Sequence, residues 1–205
     1  MTLAATLRQH LQAPGMIIAP GAYDAIGARL VEQAGFPACY MTGAGTSAAR
    51  GFPDFGLLTM SEMVENAAVM ARSVSIPLIA DADTGYGNEL NVTRTVREYE
   101  ARGVAAIHIE DQVAPKRCGH LDGKEVVSRE AFVSKIRAAL EAMPRSKPAR
   151  IWLSWKPRRP SRKSRPCQGW CAAPACLTWC PAAARRSSTC ARPRPWATSW
   201  PFCRA

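Results

Sequence analysis

Two stretches decide the fold: LIADADTGYGN at residues 78–88 and AAIHIEDQ at residues 105–112. Each begins as a short apolar run typical of a buried strand, and each ends in acidic residues. Strands separated by a helical segment are typical of a parallel sheet, in which the carboxyl ends of neighbouring strands meet at one edge. The sequence therefore predicts a cluster of carboxylates at that edge.

The side chains expected in this cluster follow from strand alternation. Alternate residues of a strand share a face, so Asp81 and Asp83 are predicted to point the same way, as are His108 and Glu110. Caps and turns explain one such carboxylate easily but three poorly, whereas three carboxylates suit Mg²⁺, a hard ion that takes oxygen ligands and keeps several waters. His108 is expected to be a hydrogen-bonded lining residue rather than a metal ligand.

The rest of the first 144 residues repeats the pattern of strand then helix four times, after an initial helix, which predicts parallel β/α architecture. A (β/α)₈ barrel and a doubly wound sheet give the same alternation, so the residues alone leave both open. Turn residues and caps place the boundaries. The expected strands are 16–19, 38–42, 76–81 and 105–110, and the helices are 3–11, 23–34, 59–71 with a Thr59/Glu62 capping box, 91–103 capped by Asn91, and 128–140 capped by Ser128.

Composition divides the chain into two parts, residues 1–144 and 145–205. The first carries 13 Lys and Arg against 16 Asp and Glu, whereas the second carries 14 Lys and Arg, all six Trp, six of the eight Cys and no acid. The overall charge of +11 therefore describes neither part. Frequent Pro and a lack of apolar periodicity predict a disordered tail for residues 145–205.

The tail allows two functional interpretations. Clustered Arg with Trp suits phosphates and bases, which indicates a nucleic-acid-binding arm. Its cysteines at 167, 171, 176 and 180 suggest zinc, but their spacing departs from the usual C-x₂-C pattern. We expect no membrane partner, because the chain has no long apolar run and no basic-then-apolar leader. GC-rich DNA read out of frame also yields Cys, Arg, Pro and Trp together, so we expect no specific nucleic-acid partner. Cys39 and Cys118 lie outside any disulfide spacing pattern, which fits a reducing cytoplasm.

Three loops carry further candidate residues. The segment YMTGAGT at residues 40–46 offers hydroxyls and backbone N–H groups for a substrate carboxylate, and RGFPDFG at residues 50–56 is a polar connection of the kind that closes over sites. In KRCGH at residues 116–120, Cys118 lies among basic residues that favour a thiolate and proton transfer near neutral pH. A turn or structural role is the alternative for each.

The pieces D-A-D-T-G-Y-G-N, H-I-E-D-Q and K-R-C-G-H, in this order and spacing, resemble the isocitrate lyase and phosphoenolpyruvate mutase superfamily, most of all its 2-methylisocitrate and 2,3-dimethylmalate lyase branch. The resemblance covers roughly residues 3 to 140. It implies a (β/α)₈ TIM-barrel fold, present here as the N-terminal half with about four β/α units and an irregular tail. It also implies a Mg²⁺ cofactor, with Mn²⁺ as an alternative, and a homotetramer for an intact member.

The implied activity is carbon–carbon cleavage of a 2-hydroxy di- or tricarboxylate to a 2-oxo acid and a carbanion delocalised into a second carboxylate; after protonation the second product is a dicarboxylate when the substrate is a tricarboxylate. Tyr40 is the expected base for the hydroxyl proton, and Cys118 the acid that protonates the leaving carbanion. Mutases of phosphorus–carbon bonds lack the cysteine motif, which favours a lyase over a carboxyphosphonoenolpyruvate phosphonomutase. Decarboxylating relatives keep much of the same frame, so an oxaloacetate decarboxylase stays an alternative within the superfamily. The implied residues are catalytic Cys118, Tyr40, Asp54 and Lys116; substrate-binding Tyr40, Thr42, Gly43, Ala44, Asp81, Arg117, Gly119 and His120; and metal-binding Asp81, Asp83 and Glu110.

The resemblance also suggests an origin for the tail. Synonymous codons can be chosen for residues 148–160 so that a reading frame that begins one base earlier, on the last base of the Lys147 codon, encodes A-G-A-D-M-A-F-V-E-A-P-Q-T. This peptide is similar to a sixth barrel strand of the family. The family's fifth-strand segment I-A-R-T-D-A is absent from the chain. We therefore expect that a segment has been lost near Leu140, that the tail is out of frame, and that the chain in this form is inactive.

Overall fold

The computed structural model describes residues 2–119, 121, 123–143 and 150–154. Five parallel strands form one sheet in the order β1-β2-β3-β4-β5, so each strand pairs with the next along the chain. A doubly wound sheet reverses its strand order at a switch point, whereas a (β/α)₈ barrel keeps sequence order. The topology is therefore that of a barrel segment. The strands are β1 (Gly21–Ala22), β2 (Cys39–Met41), β3 (Leu78–Asp81), β4 (Ala106–Glu110) and β5 (Arg150–Ser154).

Helices connect the strands on the pattern that the sequence predicts. One precedes β1, and at least one lies between each pair of consecutive strands. Their bounds are α1 (Leu3–Gln12), α2 (Ala25–Gln33), α3 (Gly43–Ala49), α4 (Met60–Ser73), α5 (Glu89–Ala101) and α6 (Arg129–Ala142). No helix in the described part of the chain is long and apolar enough to cross a membrane.

Helix starts confirm two predicted caps and correct a third. Thr59 and Glu62 form the expected capping box of α4, and the Ser128 hydroxyl accepts from the Ala131 N–H at the start of α6. The prediction that Asn91 caps α5 is wrong by one turn. Asn88 is the N-cap, and the Asn91 side chain accepts from the Asn88 N–H at 3.0 Å, so the two asparagines cap each other's backbone.

The first strand lies later than predicted. The apolar run at residues 16–19 stays outside the sheet, with Met16 79% exposed, and β1 is Gly21–Ala22. Pairing begins where the Pro20 carbonyl accepts from the Tyr40 N–H at 2.9 Å. Proline has no N–H to donate and so is confined to the start of a strand, which explains the shift.

Two elements were not predicted. α3 occupies residues expected to form a loop, because Thr42 caps it and its side chain accepts from the Gly45 N–H. β5 lies in the tail and pairs with β4 over five residues. The Ile-Trp-Leu run of β5 is of strand-forming residue types, so the expected absence of regular structure after residue 144 does not hold for Arg150–Ser154.

Apolar side chains pack in two clusters that fix where the site lies. The larger one fills the space between the sheet and helices α2, α4, α5 and α6. In the smaller one, Leu7 of α1 packs with Ala38, Ile79, Ala105 and Ala106, most of which lie at or before the start of a strand. α1 thus covers the amino ends of the strands and leaves their carboxyl ends for polar residues.

Candidate active site

The carboxyl end of β3 presents two buried aspartates. The strand ends at Asp81, and Asp83 has a left-handed φ of 47°. The prediction that strand alternation aligns these residues is therefore wrong, because Asp83 lies in a turn. The turn itself brings them together, since the Asp83 N–H donates to Asp81 Oδ1 at 3.0 Å. A non-glycine residue held in this conformation is a frequent feature of functional sites.

The start of α3 packs directly on Asp81. The Gly43 N–H donates to Asp81 Oδ2 at 3.2 Å, and a Cβ added to Gly43 would lie 2.7 Å from that oxygen. Only glycine lets the backbone approach so closely. The N–H groups of Gly43 and Gly45 were expected to be available to a substrate carboxylate, but Asp81 and the Thr42 hydroxyl accept from them. Ala44 lies exposed in the first turn of α3.

Lys116 joins residues 50–56, the candidate gating loop, to the acidic end of the sheet. Its ammonium lies 2.7 Å from Asp54 Oδ1 and 2.8 Å from Asp83 Oδ1, and the residue is 4% exposed. Gly56 of the same loop packs against the Lys116 backbone and side chain. The structure thus brings together Asp54, Asp83 and Lys116, which the sequence places in three separate segments.

The electrostatics of this cluster favour a buried cation. Burial and the charge of Asp81 raise the pKa of Asp83 to about 6, and Lys116 partly offsets that rise. Burial disfavours the Lys116 ammonium, but the charges of Asp81 and Asp83 and the bonds to Asp54 and Asp83 together raise the pKa of Lys116 above its usual value. Lys116 is therefore charged at neutral pH and compensates part of the local negative charge.

Tyr40 and His108 form a hydrogen-bonded pair beside the carboxylates. The Tyr40 hydroxyl lies 2.9 Å from His108 Nδ1, which confirms that His108 is a hydrogen-bonded residue. Burial, then the charges of Asp81, Glu110 and Asp83, raise the pKa of Tyr40 well above its usual range. The Tyr40 hydroxyl therefore stays protonated at neutral pH unless its proton passes to a neighbour.

A network behind the site fixes the turn that carries Asp83, and sequence reasoning missed it. The hydroxyl of Tyr99, a residue 1% exposed on α5, donates to the Asp81 carbonyl at 3.0 Å and lies 3.2 Å from the Tyr86 hydroxyl. Thr95 donates to the Gly85 carbonyl at 3.2 Å. The spacing of these residues in α5 gives only an apolar-helix signal, so their role depends on three-dimensional contacts.

The cysteine motif lies on a loop closed by backbone bonds. The Val113 N–H donates to the Glu125 carbonyl and the Val127 N–H donates to the Asp111 carbonyl, each at 2.9 Å. Within this loop Cys118 is a reduced, partly buried cysteine, and Lys124 Nζ donates to the Gly119 carbonyl at 2.7 Å. Arg117 is exposed. The predicted substrate residue His120 lies outside the described residues.

The donor set fits Mg²⁺ only with water among its ligands. Asp81, Asp83 and Glu110 are buried at 6–7% exposure, which gives several carboxylate oxygens at one edge of the sheet. In the part of the chain that the structure describes, however, no three His, Cys, Asp or Glu side chains form a group that holds a metal ion directly. Mg²⁺ usually binds one or two carboxylates and keeps several waters, so the residues suit an ion bound partly through water.

Comparisons with known proteins agree with this architecture. A family model described as phosphoenolpyruvate phosphomutase matches residues 7–154. A 2,3-dimethylmalate lyase from Eubacterium barkeri is 54% identical over 142 residues, which cover 69% of this chain and 49% of that protein. A 2-methylisocitrate lyase from Aeropyrum pernix is 48% identical over 136 residues, covering 66% and 44%. The chain thus spans about half the length of the curated relatives it matches.

Solved structures show the same relationship. A crystal structure of 2,3-dimethylmalate lyase aligns with a TM-score of 0.71 at 48% identity, over 75% of this chain and 52% of that one. Phosphonopyruvate hydrolase in complex with oxalate and Mg²⁺ aligns with a TM-score of 0.68 at 39% identity, over 75% and 52%. The parallel sheet is thus the N-terminal portion of a TIM-barrel enzyme fold, and the chain belongs to the phosphoenolpyruvate mutase and isocitrate lyase superfamily.

Proposed function

We propose that this chain carries the N-terminal half of the active site of a Mg²⁺-dependent carbon–carbon lyase that cleaves a 2-hydroxy di- or tricarboxylate, such as 2,3-dimethylmalate or 2-methylisocitrate. The observation that carries the proposal is the buried group of Asp81, Asp83, Glu110 and Lys116 at the carboxyl ends of β3 and β4, next to the loop that bears Cys118. Chemistry at this end of the strands is the rule for barrel enzymes.

Asp81 would hold the cation directly, with Asp83 and Glu110 binding it through water. When bound, Mg²⁺ supplies positive charge that favours ionisation of the substrate hydroxyl and stabilises the developing 2-oxo acid. The deep burial of Asp81 and its bonds from the backbone N–H groups of Gly43 and Asp83 support this assignment, because they fix both carboxylate oxygens. Lys116 would hold Asp54, and with it the gating loop, over the substrate.

Tyr40 and His108 would act together as the base. Because the pKa of Tyr40 is raised by burial and by nearby carboxylates, the hydroxyl is a weak base unless it passes its own proton on. His108 Nδ1, at 2.9 Å, is placed to accept that proton while Tyr40 takes one from the substrate. This arrangement keeps Tyr40 in the role that the family resemblance implies and adds His108 to it.

Cys118 would protonate the carbanion that cleavage leaves on the other product. Its thiol is reduced and partly buried, which allows contact with a substrate. The presence of this cysteine favours a carbon–carbon lyase over a phosphonomutase of the same superfamily, and an oxaloacetate decarboxylase stays an alternative. We also propose that the substrate is a small carboxylate, that the protein is cytoplasmic, and that an intact family member is a homotetramer.

The proposed function also includes the hypothesis that the residues after about Leu140 are translated out of frame. In the described part of the tail, β5 occupies the position after β4, but its sequence RIWLS has no acid, and its arginine stands first instead of inside the family pattern I-A-R-T-D-A. We therefore propose that a protein repaired near Leu140 is the active form and that the given chain does not turn over substrate. Resequencing the DNA that encodes residues 135–150 tests the frame.

Variants of the repaired protein test the assignments. Asp81→Ala should abolish Mg²⁺-dependent cleavage while the circular dichroism spectrum is retained. Cys118→Ser should lower cleavage by orders of magnitude while substrate binding persists, because a hydroxyl is a much weaker acid than a thiol. Cys39→Ser is the matched control for the second change, since Cys39 is buried in β2 away from these carboxylates. Normal turnover in Cys118→Ser would return that residue to a structural role.

Binding measurements separate the lyase from the nucleic-acid alternative. The given chain and a version ending at Leu140 should be compared for salt-dependent binding to several nucleic-acid sequences. We expect the longer chain to bind polyanions without sequence preference, through charge alone. A tail-dependent preference for one sequence would instead support a binding function of residues 145–205.

A further inference from the structure

We propose that Gln112 is a positioning residue that couples the carboxylate of Glu110 to the loop carrying Cys118. This inference deepens the proposed function and rests on it for the roles of those two residues. Gln112 lies two residues after Glu110 and is 5% exposed. Its place in H-I-E-D-Q indicates only a polar residue at the end of a strand, so the sequence alone assigns Gln112 no role.

The first line of evidence is the pair of bonds that Gln112 makes to one residue of the cysteine loop. Gln112 Oε1 accepts from the Arg117 N–H at 3.0 Å, and Gln112 Nε2 donates to the Arg117 carbonyl at 2.9 Å. A side-chain amide thus satisfies both backbone polar groups of Arg117, as a neighbouring strand would. Arg117 is bonded directly to Cys118, so these bonds fix the peptide from which the thiol projects.

The second line of evidence is the contact with the acidic end of the sheet. Gln112 Nε2 also donates to Glu110 Oε2 in a short hydrogen bond. The two N–H groups of the amide therefore serve two different parts of the site, one on Glu110 and one on the Arg117 carbonyl. The amide cannot rotate to improve one bond without weakening the others, so a shift of Glu110 is transmitted to the Cys118 loop.

Other contacts hold the same loop in different ways. Lys124 holds the loop at Gly119, on the far side of Cys118, but that contact reaches only a backbone carbonyl. The bridge between Gln112 and Val126 closes the base of the same loop. Lys116, itself in this loop, reaches Asp83 through an ion pair, whereas the Gln112 side chain joins Glu110 to the backbone of the loop.

The test uses the full chain and does not require turnover. Gln112→Met removes all three bonds at similar volume, and Gln112→Glu keeps the acceptor for the Arg117 N–H while removing both donated bonds. Gln33→Met on the exposed surface of α2 is the matched control. Iodoacetamide alkylation is followed by mass spectrometry on the tryptic peptides that contain Cys118 and Cys39.

The expected result is faster alkylation of Cys118, by about fivefold in Gln112→Met and less in Gln112→Glu, as the loss of a few net hydrogen bonds loosens the loop. Cys39 reports on folding, because it is 0% exposed and burial raises its pKa to about 11. It should stay protected in both variants and in the control. If Gln112→Met exposes Cys39, the comparison is made with Gln112→Glu alone.

Mg²⁺ affinity, measured by calorimetry on the same proteins, tests the other half of the linkage. Loss of a residue that orients a metal-binding carboxylate lowers affinity by about tenfold or more, and we expect that loss in both Gln112 variants and not in Gln33→Met. Unchanged Cys118 alkylation in Gln112→Glu with Cys39 protected would overturn the inference. A parent chain that binds no Mg²⁺ would instead contradict the proposed metal site, and the alkylation result would still decide the role of Gln112 in the loop.

Discussion

Lys116 is the buried cation next to the acidic end of the sheet, and Lys116→Met should destabilise the chain in a pH-dependent way. The variant removes two short ion pairs, to Asp54 and to Asp83, whose side chains are 12% and 8% exposed. Removing one partner of a buried pair costs about 3–5 kcal/mol, because the remaining charge is left without compensation. That loss is a large fraction of the total stability of a domain, about 5–15 kcal/mol.

The pH dependence follows from Asp83. Its pKa is already about 6, and loss of Lys116 raises it further, so Asp83 is protonated rather than left as an isolated charge. In the parent chain at about pH 7.5, ionised Asp83 is more stable than protonated Asp83 by about 2 kcal/mol, at 1.36 kcal/mol per pH unit above its pKa. The variant, in which Asp83 is protonated, loses that amount, whereas at about pH 5.5 the parent is largely protonated as well and the loss is close to zero. The effect of Lys116→Met should therefore be smaller by about 2 kcal/mol at the lower pH.

Urea unfolding followed by circular dichroism, at both pH values, measures the two free energies. Arg102→Met is the control, since it removes an exposed ion pair with Glu98 on α5, and such pairs contribute about 0–1 kcal/mol. A Lys116→Met loss no greater than that of Arg102→Met would refute the argument, as would a large loss that is the same at both pH values. Added Mg²⁺ should stabilise Lys116→Met more than the parent, because the ion replaces part of the lost positive charge.

Three further predictions concern the same region. Because the pKa of Asp83 is raised from 3.8 to about 6, the stability it contributes is present below about pH 4 and is lost as the pH rises through about 6, by about 3 kcal/mol, which urea titrations without Mg²⁺ would detect. Gly43→Ala should weaken Mg²⁺ binding in calorimetry with the fold retained, because the new Cβ would lie 2.7 Å from Asp81 Oδ2; unchanged affinity would contradict this. Tyr99→Phe should lower the free energy of unfolding by about 1 kcal/mol, since it removes the bond to the Asp81 carbonyl, whereas Tyr23→Phe at an exposed position should not.

The regular elements were largely predictable because their signals are local. Caps such as Thr59 and Ser128 act within one turn of helix, and apolar runs such as residues 78–81 are read directly from the sequence. The failures have local causes too. Pro20 delays the first strand, and Asn88 pairs with Asn91 and begins α5 one turn early.

The position of the acidic residues at one edge of the sheet was predictable from the sequence, but the contacts between them and the loops were not. The acidic residues at the ends of β3 and β4 were found from the sequence pattern, since parallel strands bring their carboxyl ends together. The bond from Lys116 to Asp54 joins segments 62 positions apart through an irregular loop, and no spacing rule reports such a contact. The same holds for Gln112, whose role appears only when its amide is seen between Glu110 and Arg117.

The most direct test of the proposed lyase activity is the formation of a 2-oxo acid by the frame-repaired protein. It is incubated with 2,3-dimethylmalate, 2-methylisocitrate or oxaloacetate, with and without Mg²⁺, beside the given chain and the Asp81→Ala and Cys118→Ser variants. We expect Mg²⁺-dependent cleavage of at least one of the two 2-hydroxy acids by the repaired protein, none by the given chain or Asp81→Ala, and cleavage lower by orders of magnitude in Cys118→Ser. Cleavage that is independent of Mg²⁺, or that persists undiminished in Asp81→Ala and Cys118→Ser, would contradict the proposed function.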